Sequence, residues 1–229
     1  MEVSMYDKLL QLPLFQGLCQ DDFTTILEKI KLEFNKYNIG KLIAQQGKAC
    51  NELIFTLRGN IYSQSVDKEH GYMLIEKFES PQVLEPYSLF GMFPEYTASY
   101  YAQSEVSTVS LNKSYILTEL NKYEIFQLNY FNVISNRAQN VYRKLWDTHI
   151  GNTEEKIINF LQLRCTKSTG EKILHIKMED LASLIDDTRI NVSKILNKYQ
   201  EKGLIQLKRK EIRIPALEKL IQQKQLNTI

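Results

Sequence analysis

Histidine and cysteine are scarce in this chain, and their scarcity excludes several chemistries. Of 229 residues, three are His (His70, His149, His175) and three are Cys (Cys19, Cys50, Cys165). The cysteines are odd in number, far apart and free of any CxxC pair. Neither a zinc site nor a disulfide framework is therefore indicated, and buried or partly buried free thiols are expected. A metal-dependent β-roll enzyme needs several His and a Glu at close spacing on neighbouring strands. Only His70 falls in the strand-rich part of the chain, in an expected loop. GxSxG, the P-loop and GxGxxG are all missing, so the expectation is no catalytic residue and no cofactor. No apolar run approaches the ~20 residues of a membrane span. The opening MEVSMYDKLL lacks the basic-then-apolar layout of a signal peptide, so a cytoplasmic protein is expected.

What is present is an uneven distribution of charge. Residues 1–149 carry 14 Lys or Arg against 17 Asp or Glu, whereas residues 150–229 carry 15 against 10. Such asymmetry suggests a basic nucleic-acid module attached to something that does other work. The basic part centres on Met178 to Gly203. There Met178, Leu181, Ala182, Leu184 and Ile185 recur at three- and four-residue spacing, which predicts one short amphipathic helix. Asp186, Asp187 and Thr188 interrupt it with capping-type residues. Val192, Ile195, Leu196 and Tyr199 then form the apolar face of a second helix. Its other side carries Arg189, Ile190, Asn191, Ser193, Lys194, Asn197 and Lys198. Gly203 stands where a helix ends in a left-handed residue. Two alternating runs, 204–207 and 212–214, flank Lys208-Arg209-Lys210-Glu211 and predict a β-hairpin with a basic tip. From Thr188 to Arg213 there are eight Lys or Arg and two Glu. A helix cationic on its free face suits the DNA major groove.

This stretch resembles the winged helix of the Crp/Fnr transcription regulators. Thr188, Arg189, Val192, Ser193 and Lys194 fill the family's pattern. The family often places Glu after the Arg, where it reads cytosine. Ile190 stands there instead and can offer only an apolar contact, such as one to a thymine methyl. On this resemblance, Arg189, Ile190, Asn191 and Lys194 are the expected base contacts. Thr188, Ser193, Lys198, Lys208, Arg209 and Lys210 are the expected phosphate contacts.

The N-terminal part reads differently. Residues 6–33 have helical spacing, and PLFQGL at 13–18 resembles the family's N-terminal signature. From Phe34 to Asn112 short β-type runs alternate with turns, including Gly40, Gly47 and Gly59, which implies an antiparallel sandwich or barrel. The order Tyr37-x-x-Gly40, Gly47, Phe55-x-x-x-Gly59-x-Ile61 resembles the family's cyclic-nucleotide-binding roll. Cyclic-nucleotide binders bring a Gly-Glu pair and, some ten residues on, an Arg followed by Ser or Thr. Here Pro86 takes the Glu place with Glu85 beside it, and Tyr96 takes the Arg place, followed by Thr97. No Lys or Arg occurs from Val83 to Asn112, so a buried phosphate would find no cation in this segment. Glu85, Tyr87, Tyr96 and Thr97 are therefore candidates for an altered effector pocket that does not answer to cyclic AMP or cyclic GMP. Tyr87, Phe90, Phe93, Tyr96, Tyr100 and Tyr101 suggest an aromatic interior, either filled or open to an apolar effector.

Phe131, Ile134, Ala138, Val141 and Leu145 are spaced three, four, three and four, the seam of a coiled coil. A monomer could bury that stripe against its own roll; the resemblance favours a dimer. His149-Ile150-Gly151-Asn152 reads as a hinge. The expected fold is α+β: an antiparallel β-roll of the cyclic-nucleotide-binding type over 1–123, a dimerisation helix and hinge over 124–150, and a winged helix-turn-helix over 151–229. The expected partners are double-stranded DNA, a second copy of the chain, RNA polymerase through the family, and a small effector or none. The competing reading is a ligand-sensing interaction module, for haem or a small aromatic molecule, with no role on DNA. An iron–sulfur cluster of the kind some relatives hold is not expected, since the N-terminal region has only Cys19.

Overall fold

The computed structural model describes residues 5–147 and 151–226. The chain divides into two compact units, residues 1–62 with 78–138 and residues 63–77 with 139–229. This departs from the contiguous division expected above, because an early hairpin belongs with the C-terminal part.

The first unit opens with α1 (Met5–Leu10), a 3₁₀ turn at Pro13–Phe15 and α2 (Gln20–Lys29). The helical reading to residue 33 ran too far. Ile30 is already extended, and Leu32 starts β1 (Leu32–Tyr37). Leu14 and Phe15 are buried, and the Phe15 ring meets Phe23, Phe55 and Phe126 at centroid distances of 5.3, 5.5 and 5.8 Å. The PLFQGL segment is thus the lid of an aromatic core.

The strands that follow are β2 (Leu42–Ala44), β3 (Glu52–Arg58), β4 (Asn60–Asp67), β5 (Tyr72–Glu79), β6 (Gln82–Val83), β7 (Ser99–Ala102) and β8 (Val106–Asn112), of which residues 63–77, most of β4 and β5, fall in the second unit. One sheet has the order β1-β8-β3-β6, all antiparallel, with Leu32 opposite Leu111 and Phe55 opposite both Val109 and Val83. β2 pairs with β7. Residues 103–105 separate β7 from β8. Gly59 shows why glycine is required at the turn. Its φ is +89°, and a Cβ there would lie 2.1 Å from the Glu105 carbonyl oxygen.

After α3 (Lys113–Thr118), the long helix α4 (Glu124–Asp147) begins by burying Phe126 and Tyr130 in the roll core. Farther along, the seam residues come out of that core. Phe131 and Leu145 are 63% and 54% exposed, Ala138 is exposed, and Ile134 and Val141 are half-buried. His149 and Ile150 of the expected hinge lie outside the described residues. Gly151 has a φ of +106°, and Asn152 caps the next helix.

In the second unit, α5 (Thr153–Arg164) starts with a reciprocal capping box between Asn152 and Glu155. Then follow β9 (Lys172–His175), α6 (Met178–Leu184), α7 (Arg189–Glu201), β10 (Gln206–Lys208), β11 (Glu211–Ile214) and α8 (Leu217–Leu226). Ile157, Ile158, Phe160, Leu161, Leu181, Ile185, Val192, Leu196 and Tyr199 form its core. In the sheet order β10-β11-β9-β5-β4, the hairpin strand β5 lies beside β9, with Met73 opposite His175 and Glu76 opposite Lys172.

Three contacts seat β5. Leu74 enters the core. Tyr72 packs edge-on against Phe160, with the Arg164 guanidinium 3.8 Å from the Phe160 ring centre. Glu76 forms a buried ion pair with Lys172 at 2.9 Å and accepts the Thr166 backbone N–H at 2.8 Å.

Candidate nucleic-acid interface

Helix α7 is held at its start by a small polar cluster. Asp186 takes a φ of +51°, which turns the chain between α6 and α7. The Thr188 hydroxyl caps α7 by accepting the Asn191 N–H at 3.2 Å. Asp187 accepts from the Thr153 hydroxyl at 2.6 Å, the Thr188 N–H at 2.7 Å and the Asn191 side-chain amide at 2.9 Å. The Thr153 hydroxyl, with the other two donors, holds the Asp187 carboxyl below the usual carboxylate range. Lys156 adds a bond to the Asp186 carbonyl at 2.8 Å. Asp186, Asp187 and Thr188, expected as capping-type residues, thus also fasten α5 to the first turn of α7.

Burial of Val192, Leu196 and Tyr199 fixes the rotation of α7. Helical spacing then puts Ile190, Lys194 and Asn197 opposite the core, and all three are exposed. Ile190 is 79% exposed, a large apolar side chain standing in water. Arg189 and Ser193 lie on one flank, with Gln200, whose side-chain carbonyl accepts the Leu207 N–H of the wing at 2.9 Å. Asn191 and Lys198 lie on the other flank, toward α5, where Lys198 pairs with Glu154 at 3.1 Å.

The two helices and the wing converge on one groove of about 460 Å³, lined by Lys177, Glu179, Arg189, Lys208, Arg209 and Lys210 among others. Arg189 is paired with Glu179 of α6 at 3.2 Å, but both side chains are well exposed, so the pair is weak. Lys208 pairs with Glu211 at 3.4 Å. Arg209 and Lys210 are exposed, and Lys210 has the positive φ of +58° that closes the wing turn. Lys177 and Asn197 were not among the expected contacts. Asn197 was visible on the free face; Lys177 had no local signal, because it reaches the groove only through the end of β9.

The expected effector pocket is rearranged. Glu85 is 2% exposed, at a φ of +35° before a 3₁₀ turn, Pro86–Ser88. Its carboxylate accepts the backbone N–H groups of Thr97 and Ala98 at 2.7 and 3.0 Å. It also accepts the hydroxyls of Ser88, Thr97 and Tyr100 at 2.7, 2.8 and 3.0 Å. Tyr96 is buried, and burial pushes its hydroxyl up from the ordinary tyrosine range. Thr97 is exposed despite its two bonds to Glu85. Tyr87 is half-buried, with the Arg137 guanidinium 5.0 Å from its ring centre. The aromatic interior is smaller than expected. Phe93 is 79% exposed, and Tyr101 stacks on Tyr62 at 5.2 Å, half-buried. Phe93 stands in the loop before β7, and Tyr101 alternates with the buried Tyr100 and Ala102 along β7, so aromatic content alone did not mark the inside.

Cys50 and Cys165 are buried free thiols, and burial pushes Cys165 up to about 12. Cys19 is exposed, contrary to expectation, and its Sγ caps α2 by accepting the Asp22 N–H. His70 pairs with Asp67 in an exposed turn at 2.8 Å. Among the described residues, no group of three or more His, Cys, Asp or Glu is placed to hold a metal ion, and no helix is long and apolar enough to cross a membrane.

A winged helix-turn-helix carried behind a β-roll and a long helix defines a class of DNA-binding proteins. Residues 155–223 match the family model of the Crp-like helix-turn-helix domain. Among solved structures, the chain is similar to the catabolite activator protein of Thermus thermophilus, with 18% identity, a TM-score of 0.53, and coverage of 91% of this chain and 96% of that one. It is likewise similar to a protein of the Crp/Fnr family from Eubacterium rectale, at 15% identity and a TM-score of 0.53 over 92% and 97% of the two chains. The N-terminal domain of a transcriptional regulator from Streptomyces coelicolor A3(2) matches at 17% identity and a TM-score of 0.50, over 61% of this chain and 95% of that one. No curated protein matches the sequence. The likenesses give the fold, and the domain match marks residues 155–223 as a Crp-like helix-turn-helix domain.

Proposed function

We propose that the protein regulates transcription as a homodimer that binds a near-palindromic DNA site and does not respond to cyclic AMP. The observation that carries this reading is the outward face of α7. Ile190 and Lys194 project from a helix whose wing-side flank, Arg189, shares one groove with Lys208, Arg209 and Lys210. Arg189 and Lys194 suit guanine O6 and N7, Ile190 suits a thymine methyl, and Asn191 suits adenine. Thr188, Ser193, Lys198, Lys208, Arg209 and Lys210 suit phosphates, with Lys198 exchanging Glu154 for the backbone.

Dimerisation is supported by α4. Leu128, Phe131, Tyr142 and Leu145 are each more than half exposed along the helix, an apolar stripe that a twin helix would cover. A groove of about 290 Å³ beside it, lined by Phe90, Leu117, Phe126 and Phe131 among others, offers further apolar surface to the same partner. Two recognition helices in a two-fold dimer would meet half-sites about 34 Å apart.

Insensitivity to cyclic AMP is supported by Glu85. An anionic, fully hydrogen-bonded side chain sits among the polar groups of the pocket, and a phosphate brought there would meet a like charge with no Lys or Arg from residues 83 to 112. A cytoplasmic location and no catalytic role complete the reading.

Selection of bound duplexes from a random pool tests the whole proposal at once. The expected result is a two-fold symmetric site with salt-sensitive affinity. Recovery of no preferred sequence, or micromolar binding of cyclic AMP by calorimetry, would overturn the corresponding part.

A further inference from the structure

We propose that Glu85 is a built-in anionic ligand, occupying in cis a seat whose chemistry is that of an oxyanion site. Two consecutive backbone N–H groups, Thr97 and Ala98, and three hydroxyls converge on one carboxylate at 2.7–3.0 Å. Both oxygens are served: Oε2 by Ser88 and the Thr97 N–H, Oε1 by the Thr97 hydroxyl, Ala98 and Tyr100. A buried carboxylate without a cation is tolerated only when its lone pairs are saturated in this way. Successive amides with flanking hydroxyls form the kind of concavity that holds small anions. The backbone of Glu85 is bent into the left-handed region to deliver the side chain, a conformation disfavoured for any residue but glycine.

The seat is also tied to the long helix. Glu85 precedes the Pro86–Ser88 turn, and the Tyr130 hydroxyl of α4 donates to the Pro86 carbonyl at 2.6 Å. Tyr87, in the same turn, lies under Arg137 of α4. Filling the seat therefore clamps β7, the turn and α4 together. The chain supplies for itself what a diffusible carboxylate or phosphate would otherwise supply, and the α4 geometry on which the proposed DNA-binding form rests does not await an effector.

The test is Glu85→Gly, which removes the anion and relieves the backbone bend, studied in chloride buffer with added acetate, formate or inorganic phosphate. The variant is expected to melt roughly 5–10 °C below the parent. Acetate or formate should raise its Tm saturably and leave the parent unmoved; a response to phosphate instead would show that the seat prefers a tetrahedral anion and would equally support the site. No response to any of the three overturns it. Glu85→Gln keeps the shape and removes the charge; it should be destabilised and deaf to acetate, and parental stability in this variant would overturn the need for an anion even if Glu85→Gly does not fold. Gel shift on a selected duplex reads the coupling: Glu85→Gly should bind at least ~10-fold more weakly without acetate than with it. Rescue of Tm without rescue of DNA affinity would leave the seat standing and overturn its link to α4. Failure of the parent to bind any duplex would overturn the DNA-binding proposal while the melting results still decide the seat.

Discussion

At the scale of single residues, the proposed interface separates into side chains that face outward and side chains that position them. Arg189→Ala should weaken binding to the selected site by about 1–3 kcal/mol and blur its sequence preference. Lys208→Ala should weaken all duplexes alike and lower the slope of log affinity against log salt by about one. Competition binding across a mismatch series at several salt concentrations separates the two. If both variants behave like the parent, α7 meets DNA through another face. The residues of this face were readable in the sequence, because the 3.6-residue period of Val192, Leu196 and Tyr199 fixes what lies opposite. The partners of those residues were not. Nothing local to Lys198 points to Glu154, 44 positions earlier, or to the tie between Arg189 and Glu179. Glu85 shows the same limit, for its donors lie 3 to 15 positions away and come together only when β7 folds back on the turn.

At the scale of elements, two junctions carry the arrangement of the second unit. The first is Asp187 between α5 and α7. Its carboxyl is held below the ordinary range chiefly by Thr153, so its contribution is present above the unfolded pKa and is lost as pH falls through the folded one. Asp187→Ala should therefore be less stable than the parent near neutral pH, with the difference shrinking toward pH 3, where urea midpoints can be compared. A gap independent of pH would assign the role to packing. The second junction is Glu76 with Lys172. Both are buried, so Glu76→Ala leaves an uncompensated cation and takes away the acceptor of the Thr166 N–H. A loss of about 3–5 kcal/mol is expected. Limited proteolysis should then cut within residues 63–77 sooner than in the parent. Strand identities were legible from β-type runs and turn glycines. The pairing of β5 with β9 was not, because it joins segments about a hundred residues apart and neither carries a mark of the other.

At the scale of the whole molecule, the proposed dimer turns on the outer stripe of α4. Phe131→Asp should abolish self-association in sedimentation equilibrium, since a charge within an apolar helical seam has no compensating partner. Phe131 is well exposed in the single chain, so the substitution should leave its fold intact by circular dichroism. Affinity for a two-half-site duplex should then fall toward that for one half-site. Retention of the dimer would move the interface elsewhere. Of the exposed stripe, Phe131 and Leu145 fall on the three-four repeat expected from sequence, whereas Leu128 and Tyr142 do not. That the first turns of α4, with Phe126 and Tyr130, serve the roll core became clear only from packing.

The chain passes between the two units three times, after residues 62, 77 and 138, and this has a consequence during synthesis. Residues 63–77 leave the ribosome well before β9, the strand that will receive them, has been translated. Until then the backbone donors and acceptors along one side of β5 have no strand to meet, and such an open border invites pairing with other nascent chains. The C-terminal unit can close only when the last third of the polypeptide has emerged. Crowding on polysomes, more than the stability of the finished protein, is where this topology is most exposed to misassembly.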